Sequence, residues 1–151
     1  MRFAADPLAL PPSTFCTALL HELEAQLPGQ VAFVPMDGFH YTRAQLDSFP
    51  DPKDAHYRRG AVDTFDADAW FDLVRRLRRM GKEETVSVPG FDHAVKDPEE
   101  GKIQIPGSSR IILLEGNYLL VSLSVPLDIE SHLRLLSAAP RTMGFCCTPL
   151  R

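Results

Sequence analysis

The sequence predicts an α/β fold, a parallel sheet with flanking helices. Two short apolar runs, Val31-Ala32-Phe33-Val34-Pro35-Met36 and Arg110-Ile111-Ile112-Leu113-Leu114, read as buried strands. Each is followed by an acid and a glycine, Asp37-Gly38 and Glu115-Gly116. Helical patterns precede the first run and separate the two. Open α/β sheets place ligands beyond the carboxyl ends of their strands, so the two acids are expected to share one crevice.

Residues 13–27 form the first expected helix. Ser13 or Thr14 supplies an N-cap oxygen, and Phe15, Leu19, Leu23 and Leu27 recur every four positions as its apolar face. Pro28-Gly29 ends it, because proline lacks a donor and glycine suits a left-handed C-cap. The strand over 31–36 is expected to be buried throughout rather than alternating. Residues 41–64, rich in Pro, Asp and Arg, read as a long loop with one helical turn and a short amphipathic piece at Arg43 to Phe49.

Residues 66–80 give the clearest helix. Asp66 is its expected N-cap, and Trp70, Leu73, Val74 and Leu77 make one apolar stripe. Arg75, Arg76, Arg78 and Arg79 fall mostly on the other faces, where solvent and the helix C-terminus both favour them. Val86-Ser87-Val88-Pro89 and Ile103-Gln104-Ile105 alternate and can pair, with Gly90 to Gly101 between them. Beyond Leu120 the pattern degrades. Two helical turns fit 129–136, and Ala138 to Arg151 carries no organised signal.

The chain has 151 residues, a prior for one domain. Its composition, 44% hydrophobic and 24% charged, is that of a globular protein and opposes disorder. A net charge of −4 opposes a general grip on nucleic acid. No run approaches the roughly 18–20 apolar residues of a membrane span, and residues 1–10 lack the apolar core of a signal peptide. Cys16, Cys146 and Cys147 make neither a disulfide framework nor zinc spacing. A reducing cytoplasmic setting is the default expectation, with no nucleic-acid or membrane partner. The 13 prolines exceed the usual usage of about 5% and point to many loops.

Asp37, beside His40, is placed to take a proton from a substrate hydroxyl, to hold magnesium through water, or simply to cap a turn. Glu115 carries the same alternatives, as a metal-shell acid or as the acid that starts a helix. Asp92-His93 is a polar pair that either binds ligand or holds its own loop. Arg58-Arg59-Gly60 is an anion clamp or a solvated turn, since guanidinium matches carboxylate and phosphate oxygens bidentately. His56 stays open, and His21 and His132 receive no role.

Four motifs stand in order: Asp37-Gly38-Phe39-His40; Arg58-Arg59-Gly60-Ala61 with Thr64-Phe65-Asp66; Pro89-Gly90-Phe91-Asp92-His93; and Leu114-Glu115-Gly116-Asn117-Tyr118-Leu119-Leu120. Together, over about residues 31–120, they resemble the phosphoribulokinase/uridine kinase-like group of P-loop kinases, in its nucleoside-kinase-like and pantothenate-kinase-like branch. The resemblance implies a P-loop NTPase-type sheet and transfer of the ATP γ-phosphoryl group to a small-molecule alcohol, with ATP and Mg2+ as cofactors. It implies Asp37 as base or hydroxyl-orienting group and Glu115, with Asp37, in the magnesium shell. Arg59, Phe65, Phe91 and His93 would shape the acceptor pocket, with His40, Tyr41 and Tyr118 beside them.

The sequence departs from that family at both ends. The family's first strand and G-x-x-x-x-G-K-[ST] loop cradle the nucleotide phosphates. Here Ser13-Thr14 fits the closing hydroxyls, Pro12 stands at the lysine, and residues 1–28 contain no glycine. Residues 121–151 do not resemble the family's lid. The expectation is one incomplete kinase-like domain over 1–151, organised over 13–120 with an atypical tail at 121–151, and impaired in catalysis. A non-catalytic small-molecule-binding fragment and an incomplete gene product are the alternatives.

Overall fold

The computed structural model describes residues 12–119 and 142–147. Helix α1 (Pro12–Gln26) leads into strand β1 (Val31–Pro35) and a 3-10 turn over Met36–Phe39. Helices α2 (Arg43–Leu46), α3 (Pro52–Tyr57) and α4 (Ala67–Arg79) follow, then β2 (Thr85–Asp92), β3 (Asp97–Pro106), β4 (Ile111–Gly116) and β5 (Thr142–Cys147). Strands β1, β4 and β5 form a parallel sheet in the order β1-β4-β5. Strands β2 and β3 form a separate antiparallel hairpin. The mixed architecture with a parallel sheet matches the predicted class.

The core lies between the parallel sheet on one side and α4 with the hairpin on the other. Ala32, Val34, Ile112 and Leu114 point into it from the sheet, meeting Trp70, Leu73 and Leu77 of α4 and Val86, Val88 and Ile105 of the hairpin. Truncating one such side chain, Leu114 for example, typically costs about 2–5 kcal/mol through lost burial and a residual cavity. Helix α4 forms as the sequence predicts. Asp66 accepts the Ala69 N–H at 2.9 Å as its N-cap, and Val74 packs against the core edge.

Four expectations need correcting. Helix α1 is described over Pro12–Gln26, so Ser13 and Thr14 lie within the helix rather than capping it. Its inward residue is Cys16, with Leu19, Leu23 and Leu27 half-buried, whereas Phe15 is 55% exposed. Strand β1 alternates between buried and half-buried positions, because only its Ala32/Val34 face meets the main core. Residues 41–64 are no open loop but two short helices and a 3-10 turn, fixed by local caps. Thr42 and Gln45 make a reciprocal capping box, and Asp51 caps α3 ahead of Pro52.

The tail holds the largest departure. Strand β5 pairs in parallel with β4 from Ile111↔Thr142 to Gly116↔Cys147. The mixed Thr142-Met143-Gly144-Phe145-Cys146-Cys147 has neither period, so sequence alone missed a strand whose order comes from its neighbour. The two helical turns expected over 129–136 lie outside the described residues. Among the described residues, no helix is long and apolar enough to cross a membrane.

Candidate functional site

Parallel pairing puts the two acids at one end of the sheet. Pro35 of β1 lies opposite Glu115 of β4, and Asp37 follows two residues on. Burial pushes the Glu115 carboxyl above its usual range, and the nearby charge of Asp37 adds to that push. Asp37 itself is exposed.

Glycines let the motif segments touch. A Cβ on Gly38 would lie 2.3 Å from the Pro89 carbonyl oxygen, so only glycine allows the Asp37 turn to rest on β2. A Cβ on Gly116 would lie 2.5 Å from the Met36 Cβ, which brings the end of β4 against the same turn. The acid-glycine repeat seen in the sequence is therefore a packing device that draws three motifs together.

The segment after Asp37 is stitched to the Thr64-Phe65-Asp66 motif. Asp66 N–H donates to the Phe39 carbonyl at 2.7 Å, and Tyr41 N–H donates to the Thr64 carbonyl at 2.9 Å. This pairing lays the His40 ring on Phe65, with centroids 3.9 Å apart. Phe91 lies 5.2 Å from His40 and 5.1 Å from His93, while Tyr118 meets Phe65 edge-on at 5.7 Å. The Arg59 guanidinium stands 5.7 Å from the Phe91 ring centre. His40, Arg59, Phe65, Phe91, His93 and Tyr118 thus converge in one cluster.

Tyr41 does not join the rings. Its own ring packs edge-on against Phe49 at 5.5 Å, and it reaches the cluster only through its carbonyl, which accepts from Arg59. Burial raises its phenol above the ordinary range, helped by Asp66 and Asp68. His40 is not paired with the Asp37 carboxylate either. Its Nδ1 lies 2.8 Å from the Asp37 backbone carbonyl, and burial holds the imidazole below its usual pKa, so the ring is neutral at neutral pH.

The anion-clamp reading of Arg58-Arg59 also changes. Arg58 is committed to Asp54 at 2.6 Å and to Asp63 at 2.8 Å. Arg59 donates to the Asp97 carboxylate at 2.7 Å and to the Lys96 and Tyr41 carbonyls. Asp97 is the residue that sequence reasoning missed. It lies 38 positions from Arg59, outside every motif, and only its charge hinted at a pairing. Thr64 stands in the second motif with no role that the sequence assigns. Its buried hydroxyl accepts from Gly60 N–H and donates to the Ala61 carbonyl, which shapes the turn behind Arg59. His56, left open, pairs with Asp47 at 2.8 Å on the surface.

Two carboxyl groups at the carboxyl end of the parallel strands, the pKa of Glu115 raised by burial and by the charge of Asp37, fit a magnesium ion. Mg2+ takes one or two carboxylates and completes its shell with waters and substrate oxygens. No group of three or more His, Cys, Asp or Glu suited to a metal occurs among the described residues. The nucleotide phosphates find a poorer match. Pro12, at the expected lysine position, has no N–H to donate. Ser13 and Thr14, the expected phosphate-side hydroxyls, have side chains outside the described set. A separate groove of about 560 Å3, lined by Asp72, Arg75, Arg76, Arg79, Met80 and Glu84 among others, shares no residue with the cluster.

No protein-family model matches the chain. Among known proteins, it is 40% identical over 111 residues to a Schizosaccharomyces pombe protein inferred to be a uridine kinase, covering 73% of this chain and 47% of that one. It is 51% identical over 86 residues to an ATP-dependent kinase-like protein of Aspergillus versicolor, covering 56% of this chain and 50% of the relative. The chain thus spans about half the length of these curated relatives. Among solved structures, a Silicibacter protein inferred to be a fructose transport system kinase superposes with a TM-score of 0.64 at 31% identity, over 79% of this chain and 54% of the other. YFH7 of Saccharomyces cerevisiae, inferred to be a P-loop kinase with a circular permutation, gives 0.56 at 38% identity, over 60% of this chain and 34% of its own.

Proposed function

For a chain that matches the uridine kinase-like P-loop kinases over a segment of its length, we propose that it carries the acceptor and metal side of an ATP-dependent small-molecule kinase. The observation that carries this reading is the convergence of Asp37 and Glu115 at the carboxyl end of the parallel strands, beside the ring cluster of His40, Phe65 and Phe91. The partner would be a small molecule bearing an alcohol.

In this reading the rings of His40, Phe65, Phe91 and Tyr118 bind the body of the acceptor and exclude water from it. Asp37, exposed at the strand end, accepts the proton of the acceptor hydroxyl. Glu115 and Asp37 are the residues that would hold magnesium. When bound, magnesium-ATP supplies the phosphoryl group and neutralises its charge, so catalysis is mostly positioning and electrostatics. The described residues offer no cradle for the triphosphate, and no step is assigned to one.

A second reading, an acceptor-binding module without turnover, is favoured by that same Pro12. A thermal melt of the full chain with magnesium-ATP, with uridine, and with both tests the two together. A ligand at a hundredfold over its Kd adds about 2.7 kcal/mol, or roughly 5–11 °C for a domain of this size. An upward shift with magnesium-ATP, and turnover abolished by Asp37→Asn, supports the kinase. A shift with acceptor alone supports the module, and a melt indifferent to every family acceptor removes both.

A further inference from the structure

Arg59 has the position of a substrate anchor and the bonding of a residue already occupied. Its Nη2 donates to the Asp97 Oδ1 at 2.7 Å and to the Tyr41 carbonyl at 3.0 Å, and its Nη1 donates to the Lys96 carbonyl at 2.5 Å. A guanidinium grips an anion with two parallel N–H groups, and both of its two-donor edges include Nη2. Here both Nη2 hydrogens are spent. Nε is buried and has no partner among the described residues, yet one donor alone cannot form the fork.

The partner is as firmly fixed as Arg59. Asp97 opens β3 and also accepts the Arg43 N–H at 2.9 Å, so it is held from two sides. The side chains of Arg59 and Asp97 are only 16% and 25% exposed. In that partly buried setting the charges of +1 and −1 cancel close to the Phe91 ring. Releasing Arg59 to a ligand would take from Asp97 its directly bonded counter-ion and leave only the charge of Arg43 nearby, and unpairing a partly buried charge is costly.

We infer that Asp97 sets the charge specificity of the acceptor pocket: by occupying Arg59 it makes the pocket take uncharged alcohols and reject those bearing phosphate or carboxylate. This rests on the acceptor-pocket reading above and narrows it to one substrate class. The cluster offers stacking faces in place of a free cation.

Matched pairs set an uncharged alcohol against its phosphate ester: uridine against uridine 5′-monophosphate, and fructose against fructose 6-phosphate. Affinities are measured by calorimetry on the full chain and on Asp97→Asn. Asparagine leaves an oxygen for the Arg43 N–H but removes the charge that holds Arg59, so an anion can compete for the guanidinium. The expected result is at least tenfold tighter binding of one uncharged member by the wild type, with that preference reduced tenfold or more in Asp97→Asn. Tighter binding of a phosphorylated member by the wild type, or an unchanged ratio in the variant, overturns the inference.

A second measurement does not need an acceptor. The Arg59 Nε–H resonance is followed by NMR during titration with inorganic phosphate. It should stay still in the wild type and move in Asp97→Asn. If no acceptor binds either protein, the acceptor-pocket reading has failed, and this titration still decides the charge lock. A resonance that moves in the wild type overturns the lock even if the variant does not fold, and one that stays still in a folded variant overturns it as well.

Discussion

Gly38 rests on the carbonyl of Pro89 so closely that a Cβ built on it would meet that oxygen at 2.3 Å. The obstacle is backbone and cannot swing aside. Gly38→Ala must therefore push the Asp37 turn away from β2, and overpacking of this kind costs about 1–3 kcal/mol. Gly81 is the control, since its nearest neighbours lie 3.6 Å from the built Cβ. Urea melts should show a clearly lowered midpoint for Gly38→Ala and little change for Gly81→Ala. Equal midpoints would show that the turn has room to move.

Glu115 should make the protein lose stability as pH rises. Burial first, and the charge of Asp37 second, raise its folded pKa above the value of about 4.3 usual for a glutamate. Between those two values the native state holds more protons than the unfolded one, so stability falls as pH increases through the window and stays lower above it. Glu115→Gln removes this loss. Its denaturation midpoint should exceed that of the wild type at pH 7 and approach it near pH 4. Magnesium should narrow the gap at pH 7. A wild-type profile that rises through this window, with no gain from Glu115→Gln, would count against a strained acid here.

The reach of the sequence follows from how local each signal is. Asp66 capping α4 and the Trp70/Leu73/Leu77 stripe are written within a dozen residues, and the structure reproduces both. The cluster of His40, Arg59, Phe65, Phe91, His93 and Tyr118 was legible only through ordered motifs, because no spacing rule relates residues so far apart. Strand β5 and the Arg59–Asp97 pair were not legible. A strand without a period takes its order from β4, and a pair 38 residues apart depends on where the hairpin lands. The long stretch 41–64 looked like a loop because its helices are too short to show a period, although Thr42-x-x-Gln45 was a capping signal in plain view.

Asp66 joins the helix to the site, since its side chain caps α4 while its N–H holds the Phe39 carbonyl. Asp66→Ala removes only the cap and should cost about 1 kcal/mol. Asp66→Asn retains an acceptor oxygen and should recover most of that. Calorimetric melts of the three proteins give the comparison. An alanine variant as stable as the wild type would mean that the 2.9 Å contact contributes nothing.

Thr64 is fully buried, and its hydroxyl joins two backbone groups four and three residues earlier, Gly60 N–H at 2.9 Å and the Ala61 carbonyl at 2.8 Å. Gly60 holds φ +104°, a conformation open in practice to glycine, and its carbonyl accepts the Tyr118 hydroxyl at 3.0 Å. One hydroxyl therefore fixes the turn that sets both Arg59 and Tyr118. Thr64→Val preserves shape and removes the hydroxyl, leaving the Gly60 N–H without its acceptor while the Ala61 carbonyl keeps the backbone N–H of residue 64, a loss of about 1–3 kcal/mol. Thr64→Ser keeps the hydroxyl and gives up a methyl group, worth about 1 kcal/mol. If the hydroxyl dominates, the valine variant melts below the serine variant and binds acceptor more weakly, because Arg59 and Tyr118 lose their common support. If packing dominates, the order reverses, and the turn is held by its burial rather than by Thr64.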